Sequence, residues 1–406
     1  VSRFLGIDLD ALRHENYYSL KNGIKTPYGQ IVKNIKIEKI IDEMENFASL
    51  AKRKLQVEKF NKSQINENKP YRKGIAFMPA KFGISFNKVS LNQAGALVHV
   101  YTDGSVRLNH GGTEMGQGLF TKVAQVVSEC FNIPIDYVHI SGTNTDEVPN
   151  TSATAASSGS DINGMAAWKA ASVIKKRMLK QASKVFQKSP SSIEFRNGLI
   201  LSGNKSMTFK ELAFSCWENR VSLSSTGFYK TPKISWDQEK FKGSPYFYFT
   251  WGAAVSEAII DIDTGESRIL RADIIQDCGS SLNPLIDKGQ IEGGFVQGIG
   301  WLTCEELYFN PEGKLLTLGP STYKIPGSRD VPPEFNIKLL ENAPNEEKTI
   351  FRSKAVGEPP LLLAISHFLA LKNAVSMASE TSNADLLNAP ATPSKILAAV
   401  YNDHSM

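Results

Sequence analysis

Two long alternating runs joined by a short polar turn constrain the fold more than any other feature of this sequence. Residues 246–262 alternate and contain several aromatic side chains, and residues 267–277 alternate again after a turn that contains Asp263 and Gly265. Alternation with a period of two is typical of a strand with one buried face. We therefore predict a long pair of adjacent strands in the second half of the chain.

A second hairpin is predicted nearer the amino terminus. Residues 96–101 and 106–110 alternate on either side of Asp103-Gly104, and Asp-Gly between such runs favours a tight hairpin turn. Apolar residues at helical spacing predict helices near residues 36–55, 119–130, 166–185 and 360–378, and the polar residues 61–70 indicate a surface connector. Strands and helices without a steady βαβ rhythm predict an α+β fold.

Composition limits the classes of function. No apolar run approaches the ~20 residues that a membrane helix needs, and the first residues show no secretory leader pattern, so we expect a cytoplasmic protein without a membrane partner. The formal net charge is +5, and the basic excess lies in Lys- and Asn-rich stretches that are typical of a solvated surface, not of a nucleic-acid interface. The four cysteines form no C-x-x-C pair, which argues against zinc ribbons and iron–sulfur ligation within the chain.

Four segments combine small or Gly residues with a polar group where a helix is expected to start: residues 111–118, 154–161, 293–300 and 353–360. Glycine lets backbone N–H groups approach a ligand closely, and a helix amino terminus favours anions. A tight turn, a helix capped by Ser160 or Asp161, and close helix packing are the structural alternatives. Spacing alone does not separate these alternatives from ligand binding.

Glu358 in the last of these segments has two interpretations. It stands directly before Pro359 and Pro360 and an apolar run, and because proline suits the first helical turn, Glu358 falls at or near a helix cap. It is then either a surface carboxylate that the helix dipole favours, or a carboxylate with little freedom, shielded by apolar neighbours and able to act as a general base.

The order of the motifs resembles the molybdenum-cofactor subunit of the xanthine dehydrogenase family, within the xanthine oxidase/aldehyde oxidase superfamily. The segments that carry the resemblance are residues 82–86, 91–97, 111–118, 154–161, 277–284, 320–326, 353–360 and 389–393. They occur in family order along almost the whole chain, and the separate-subunit bacterial enzymes look most similar. The resemblance implies that residues 1–70 are the tail of a first molybdenum-cofactor-binding domain and that residues 71–406 are the second such domain.

The resemblance also implies roles at matching positions. Glu358 matches the general base, Gln117 a residue beside the metal and pterin, and Ala156 a backbone position beside the molybdenum. Phe86 matches an aromatic residue at the edge of the substrate ring, and Asn87 stands where xanthine oxidisers usually carry Thr, which changes the expected substrate contacts. The other positions that match pterin-cofactor contacts are Met115, Gly116, Ser157, Ser160, Gln297 and Gly357.

The implied function is the oxidation of hypoxanthine and xanthine to urate on a molybdenum–molybdopterin cofactor. In the family, base-assisted attack of a molybdenum-bound hydroxide on the purine is coupled to hydride transfer to a sulfido ligand, and electrons leave through 2Fe-2S clusters to FAD. Those centres are expected in partner chains or domains, together with the upstream half of the molybdenum domain, in a dimer of heteromers. The alternatives are an aldehyde oxidase or other aza-heterocycle hydroxylase, and a truncated remnant that only folds or binds partner subunits.

Overall fold

Two four-stranded sheets, each covered by helices, organise the protein. The computed structural model describes residues 1–21, 23–147 and 151–402. The helices are α1 Ser2–Leu5, α2 Leu9–Glu15, α3 Ile37–Ala48, α4 Leu50–Asn66, α5 Leu119–Phe131, α6 Gly159–Phe186, α7 Phe209–Glu218, α8 Pro284–Thr303, α9 Pro359–Leu363, α10 Ile365–Ser376 and α11 Pro393–Tyr401. The strands are β1 Tyr71–Ile84, β2 Gln93–Val100, β3 Val106–His110, β4 Val138–Ile140, β5 Glu194–Arg196, β6 Leu199–Ser202, β7 Lys205–Thr208, β8 Ser224–Lys230, β9 Ser235–Asp237, β10 Lys242–Ser244, β11 Tyr248–Asp261, β12 Ser267–Gln276 and β13 Glu334–Leu339.

The first sheet has the strand order β1-β11-β12-β13. Strands β1 and β11 pair antiparallel along their whole length, from Tyr71 opposite Asp261 to Ile84 opposite Tyr248. Strand β12 continues antiparallel from β11, and β13 joins its far side in parallel. The long hairpin predicted from alternation is confirmed. Helix α10 packs across β1 and β11.

The second sheet has the order β4-β3-β2-β8 and carries α5 and α6. The predicted Asp-Gly hairpin is confirmed, because β2 and β3 pair antiparallel from Ala96 opposite His110 to Val100 opposite Val106. Apolar side chains of both strands, of α5 and of α6 form one buried core. This sheet and its helices therefore build the side of the molecule that carries residues 111–118 and 154–161. The strands β5-β6-β7 and β9-β10 form two small additional sheets.

The helices before residue 70 differ from the prediction. Helix α3 ends at Ala48, Ser49 adopts a left-handed conformation with φ 49°, and α4 then runs to Asn66. The surface connector predicted for residues 61–70 is wrong for residues 61–66. The reason is a tertiary contact: the Asn61 side chain donates to the Lys73 carbonyl and accepts the Lys73 N–H, both over 2.8 Å, which holds this polar turn of helix against β1.

Residues from both sides of position 70 share one core. Ile40 and Met44 of α3 and Val57 of α4 are buried together with Phe77 of β1 and Trp251 of β11. We retain the division into residues 1–70 and 71–406 as a proposal about two family domains. The last residues of that range, 403–406, lie outside the described residues.

Two other predicted helices begin or end differently. The helix predicted for residues 360–378 is divided at Ala364 into α9 and α10. Residues 293–300 lie inside α8 and not at a helix start. A Cβ atom built on Gly298 would lie 2.6 Å from both Ala364 Cβ and the Leu361 carbonyl oxygen, so glycine here permits close packing of α8 on α9. No helix within the described ranges is long and apolar enough to span a membrane.

Candidate functional site

A cavity of about 340 Å³ lies where α5, α6 and α8 begin and where residues 353–358 pass between them. Three of the four segments singled out from the sequence, residues 111–118, 154–161 and 353–360, meet there although they are far apart along the chain; residues 293–300 do not line the cavity. The predicted site residues in its lining are Met115, Gln117, Ser157, Ser160, Gly357 and Glu358. The structure therefore brings together residues from opposite halves of the protein.

The carboxylate of Glu114 binds several backbone N–H groups in the loop before α5. Glu114 accepts hydrogen bonds from the backbone N–H groups of Gly116, Gly118 and Phe120, each over 2.9 Å. Burial raises the pKa of Glu114, but these N–H donors outweigh it and hold the pKa below its ordinary value. Glu114 thus does for α5 what a capping side chain does, because it satisfies donors at the start of the helix.

Gln117 is held within the same loop. Its Oε1 accepts the Met115 N–H over 2.5 Å, and its Nε2 donates to the Thr113 carbonyl over 2.7 Å. Beneath the loop, buried His110 accepts the Gly112 N–H at Nδ1 over 3.1 Å. Burial lowers the pKa of His110 to about 4, so this imidazole is neutral near pH 7 and supports the loop as a hydrogen-bond acceptor.

The segment before α6 has an unusual backbone. Ala156 and Ser157 both adopt left-handed conformations, with φ 57° and 54°, a region that residues other than glycine rarely occupy. The N-cap of α6 is Ser158, which makes no side-chain cap hydrogen bond, so the expectation that Ser160 or Asp161 caps this helix is wrong. The first turn of α6 therefore borders the cavity without a side chain on its N–H groups, which suits an anionic or polar ligand.

Glu358 and Ser157, which both line this cavity, are bonded to each other. The Ser157 hydroxyl oxygen accepts the Glu358 backbone N–H over 2.8 Å and donates its proton to Glu358 Oε2 over 3.0 Å. Glu358 occupies the N-cap position of α9 but makes no side-chain cap bond. The side chain is exposed, so the expected shielding by apolar neighbours is wrong for these residues. Glu358 is thus an exposed carboxylate at the start of α9, as the first interpretation expects. Its hydrogen bond is made to Ser157 and not to the N–H groups of α9.

The inner wall of the cavity is a buried polar network that the sequence did not indicate as functional. Tyr248 donates its hydroxyl proton to Asp161 over 2.6 Å and accepts the Ala355 N–H over 2.8 Å. Burial raises the pKa of Asp161 to about 7, although the Tyr248 bond and the charge of Lys122 act in the opposite direction. Lys122 itself pairs with buried Asp287 over 2.5 Å. The only sign of this polar network in the sequence is the position of Asp161 beside a run of small residues.

A buried ion pair fixes the segment that carries Glu358. Lys354 Nζ donates to Asp277 Oδ2 over 2.5 Å and to the Phe249 carbonyl over 3.1 Å, and neither charged side chain is exposed to any measurable extent. Removing one member of such a pair leaves an uncompensated buried charge. The pair therefore ties residues 353–358 to the ends of β11 and β12.

Several predicted site residues do not line the cavity within the part of the chain that the structure describes: Phe86, Asn87, Gly116, Ala156 and Gln297. Gly116 and Ala156 are immediate neighbours of lining residues. Phe86 is half-buried and its backbone is bound by the Asn92 side chain over 2.7 and 2.9 Å. Asn87 and Gln297 are exposed. Their predicted roles stay predictions.

A family model described as a molybdopterin cofactor-binding domain matches residues 44–332, which is more than half of the chain. This chain belongs to the molybdopterin cofactor-binding domain family. The match covers two of the three segments that line the cavity, residues 111–118 and 154–161. The remaining segment, with Glu358, follows the matched region.

The chain is also similar to full-length xanthine dehydrogenases. Xanthine dehydrogenase/oxidase of Mus musculus is 46% identical over 397 residues, which are 96% of this chain and 28% of the mouse protein. Xanthine dehydrogenase of Dictyostelium discoideum is 46% identical over 402 residues, which are 98% of this chain and 28% of that protein. The chain thus spans 28% of the length of these relatives. The resemblance to the xanthine dehydrogenase family, inferred from motif order, is confirmed.

Solved structures of other proteins share this fold. Quinoline 2-oxidoreductase from Pseudomonas putida 86 is 21% identical with a TM-score of 0.81, covering 98% of this chain and 50% of that one. A Cu,Mo-CO dehydrogenase is 19% identical with a TM-score of 0.82 and the same coverage. Aldehyde oxidoreductase from Desulfovibrio gigas is 20% identical with a TM-score of 0.74, covering 98% of this chain and 39% of that one. The predicted α+β fold is confirmed.

Proposed function

We propose that this chain forms part of a molybdenum hydroxylase that oxidises hypoxanthine and xanthine to urate, with Glu358 as the general base. The observation that carries the proposal is the position of the Glu358 carboxylate, which faces the cavity and is held by Ser157 without capping a helix. The names of the 46% identical relatives favour a purine as the substrate.

The cavity fits a cofactor that brings its own metal ligands. Within the described ranges, no group of three or more His, Cys, Asp or Glu side chains is arranged to hold a metal ion, so the pterin and not the protein would hold the molybdenum. The uncapped first turn of α6 offers N–H donors to the polar groups of a pterin. A Cβ atom built on Gly116 would meet nothing within 4 Å, which leaves open space beside the loop. Met115, Gln117, Ser157 and Ser160 would contact the cofactor from these two segments.

The chain's own residues would then act as follows. When bound, the cofactor supplies the transferred oxygen and accepts two electrons from the substrate. Glu358 accepts the proton that is released, and Oε1 is the atom we assign to this step, because Ser157 occupies Oε2. Gln117 would orient polar groups of the cofactor from the opposite side. Phe86 and Asn87 would approach the purine from outside the cavity lining.

Further components belong to the proposal because the chain spans 28% of its relatives. We propose that 2Fe-2S clusters and FAD lie in other domains or chains of the assembled protein and carry electrons away. The upstream half of the molybdenum domain would complete the cofactor pocket, and the assembly would be a dimer of heteromers.

The test is turnover by the assembled, molybdenum-loaded protein that contains this chain. We expect urate from xanthine and from hypoxanthine, at rates well above those for an aldehyde or for quinoline. Preferred turnover of the aldehyde or of quinoline would replace the purine assignment with the corresponding alternative. A fully loaded protein that oxidises none of these substrates would refute the proposed function and favour a non-catalytic remnant.

A further inference from the structure

Ser157 makes the two contacts that decide where the Glu358 carboxylate points. Its single hydroxyl binds both the backbone N–H and Oε2 of Glu358. One contact fixes the backbone at residue 358 and the other fixes the end of the side chain, so together they restrict the intervening torsion angles. An exposed glutamate without such contacts would sample several rotamers, and ordering it would cost side-chain entropy.

The backbone at this position is held in an uncommon conformation. Ala156 and Ser157 are consecutive left-handed residues, a conformation that is unfavourable for residues with a Cβ atom. Strain of this kind persists where the surrounding structure requires it and often occurs at functional sites. Here the left-handed pair delivers the Ser157 hydroxyl to Glu358, so the strain has an identifiable structural result.

The facing segment also leaves room for the hydroxyl. A Cβ atom built on Gly357 would lie 3.2 Å from Ser157 Oγ and 3.7 Å from Ser157 Cβ. A side chain at residue 357 would therefore press on Ser157 at its closest contact with the segment that carries the base. The absence of a side chain at 357 and the left-handed turn at 156–157 are independent features that favour the same contact.

A second link keeps the two segments in register. Asp161, one turn into α6, accepts from Tyr248, and Tyr248 accepts the Ala355 N–H. Asp161 lies four positions after Ser157, and Ala355 lies three positions before Glu358. The buried hydrogen bonds through Tyr248 therefore join the two segments close to the contact between Ser157 and Glu358. This connection limits how far the two segments can separate, so loss of the Ser157 hydroxyl would release the carboxylate without moving the segment that bears it.

We propose that Ser157 is a positioning residue that holds the Glu358 carboxylate in its proton-accepting orientation. The inference rests on the proposed function for its kinetic consequence but not for its geometry. It assigns Ser157 a task additional to the cofactor contact implied by the family resemblance. The two tasks make different predictions, because a cofactor contact acts on cofactor retention and a positioning contact acts on turnover.

The first experiment measures geometry without activity, through amide hydrogen exchange resolved at residue 358. In the wild-type chain the Glu358 amide is bonded, and we expect Ser157→Ala to speed its exchange by about tenfold or more, the scale of losing one hydrogen bond. Ser158→Ala is the matched control, since the neighbouring hydroxyl donates weakly to the Ala155 carbonyl over 3.4 Å and should leave exchange at 358 unchanged. Equal exchange in wild type and Ser157→Ala would overturn the proposal.

The second experiment uses the assembled, molybdenum-loaded protein. We expect Ser157→Ala to lower kcat by about tenfold to a hundredfold, with KM and molybdenum content close to wild type, the scale of one charge-assisted hydrogen bond. In a Glu358→Gln background the same change should lower kcat by less than about threefold, because the base is already absent. A loss of turnover proportional to lost molybdenum, or full additivity with Glu358→Gln, would overturn the positioning role. An inactive wild-type protein would refute the proposed function, and hydrogen exchange would still decide the geometry.

Discussion

Tyr248 donates its hydroxyl proton to the carboxylate of Asp161 over 2.6 Å, and both side chains are buried. The same hydroxyl accepts the Ala355 N–H. This chain of two hydrogen bonds crosses from the first turn of α6 to the segment that ends at Glu358. The cavity wall is therefore built around a carboxyl group that has no cation in hydrogen-bond contact among the described residues.

The first prediction concerns the charge of Asp161. Burial raises the pKa of Asp161 to about 7, whereas the unfolded chain releases this proton near pH 4. The folded state thus binds more protons than the unfolded state between these values, and the stabilising contribution present at low pH is lost as the pH rises towards 7. Asp161→Asn is neutral throughout and can still accept from Tyr248 through its amide oxygen.

We therefore expect the free energy of unfolding of Asp161→Asn, measured relative to that of wild type, to be higher at pH 8 than at pH 5 by roughly 2–3 kcal/mol. Urea denaturation at both pH values measures the difference. Asp136→Asn, which changes an exposed carboxyl group, is the control and should show no such gain. A constant difference between wild type and Asp161→Asn would mean that Asp161 is ionised in the folded protein across this range.

The sequence predicts those features of the structure that depend on neighbouring residues, and it does not predict those that depend on contacts between distant parts of the chain. The two hairpins were predictable because alternation and an Asp-Gly turn act within about 20 residues. The end of α4 could not be predicted in this way, because its helical conformation is maintained by the contact between Asn61 and Lys73 in β1. Local polarity in such a case indicates a loop, and a tertiary contact overrides it.

The site shows the same division. The polar and small residues at 111–118, 154–161 and 353–360 stood out in the sequence, and their motif order carried the family resemblance. The contact between Ser157 and Glu358 joins positions 201 residues apart, and nothing local to either residue indicates it. Tyr248 looks in the sequence like any aromatic residue of a strand, so its hydrogen bonds to the cavity-lining residues Asp161 and Ala355 became visible only with the fold.

The second prediction concerns acid sensitivity at His367 in α10. Burial lowers the pKa of His367 to about 4, and its Nδ1 is buried without a hydrogen-bond partner among the described residues. The unfolded chain binds a proton near pH 6.5, so stability is lost as the pH falls from about 6.5 to about 4. The free energy of unfolding of His367→Leu, measured relative to that of wild type, should therefore be about 2 kcal/mol higher at pH 5 than at pH 7.5.

Denaturant unfolding of both proteins at the two pH values measures this gain. His139→Leu is the control, since His139 is exposed on β4 and its replacement should not change the acid response. If wild type and His367→Leu lost stability in parallel on acidification, a different group would be responsible.

The third prediction tests whether close packing of α8 on α9 supports the site. A Cβ atom on Gly298 would lie 2.6 Å from Ala364 Cβ and from the Leu361 carbonyl oxygen, so Gly298→Ala must push the helices apart. We expect a loss of about 1–3 kcal/mol of stability and, in the assembled protein, a lower kcat, because α9 begins directly after Glu358.

Gly293→Ala is a matched control for that change. Gly293 lies in the same helix, and a Cβ atom there would meet nothing within 4 Å. Alanine should therefore stabilise the helix by about 0.5–1 kcal/mol through its higher helix propensity, and turnover should stay normal. Thermal melts of both variants decide the matter, and equal effects at 293 and 298 would contradict the packing argument.

The last prediction concerns Glu358 itself. Proton removal by a positioned carboxylate contributes typically ~10²–10⁴-fold to a rate, and Glu358→Gln keeps the size and polarity of the side chain but cannot accept the proton. In the assembled protein we expect kcat to fall by at least ~10²-fold, while molybdenum content and Tm stay close to wild type. Tm should hold because Glu358 is exposed and makes no side-chain cap bond to α9.

Steady-state kinetics, metal analysis and a thermal melt on the same preparation distinguish a base from a structural residue. Glu58→Gln is the control, because Glu58 is exposed on α4 and does not line the cavity, so its loss should leave kcat unchanged. Since Ser157 also contacts the backbone N–H of residue 358, the Gln variant keeps the local backbone in place and isolates the loss of proton acceptance. Near-normal kcat with a lowered Tm would instead make Glu358 a structural residue, and the family role of this position would not hold for this chain.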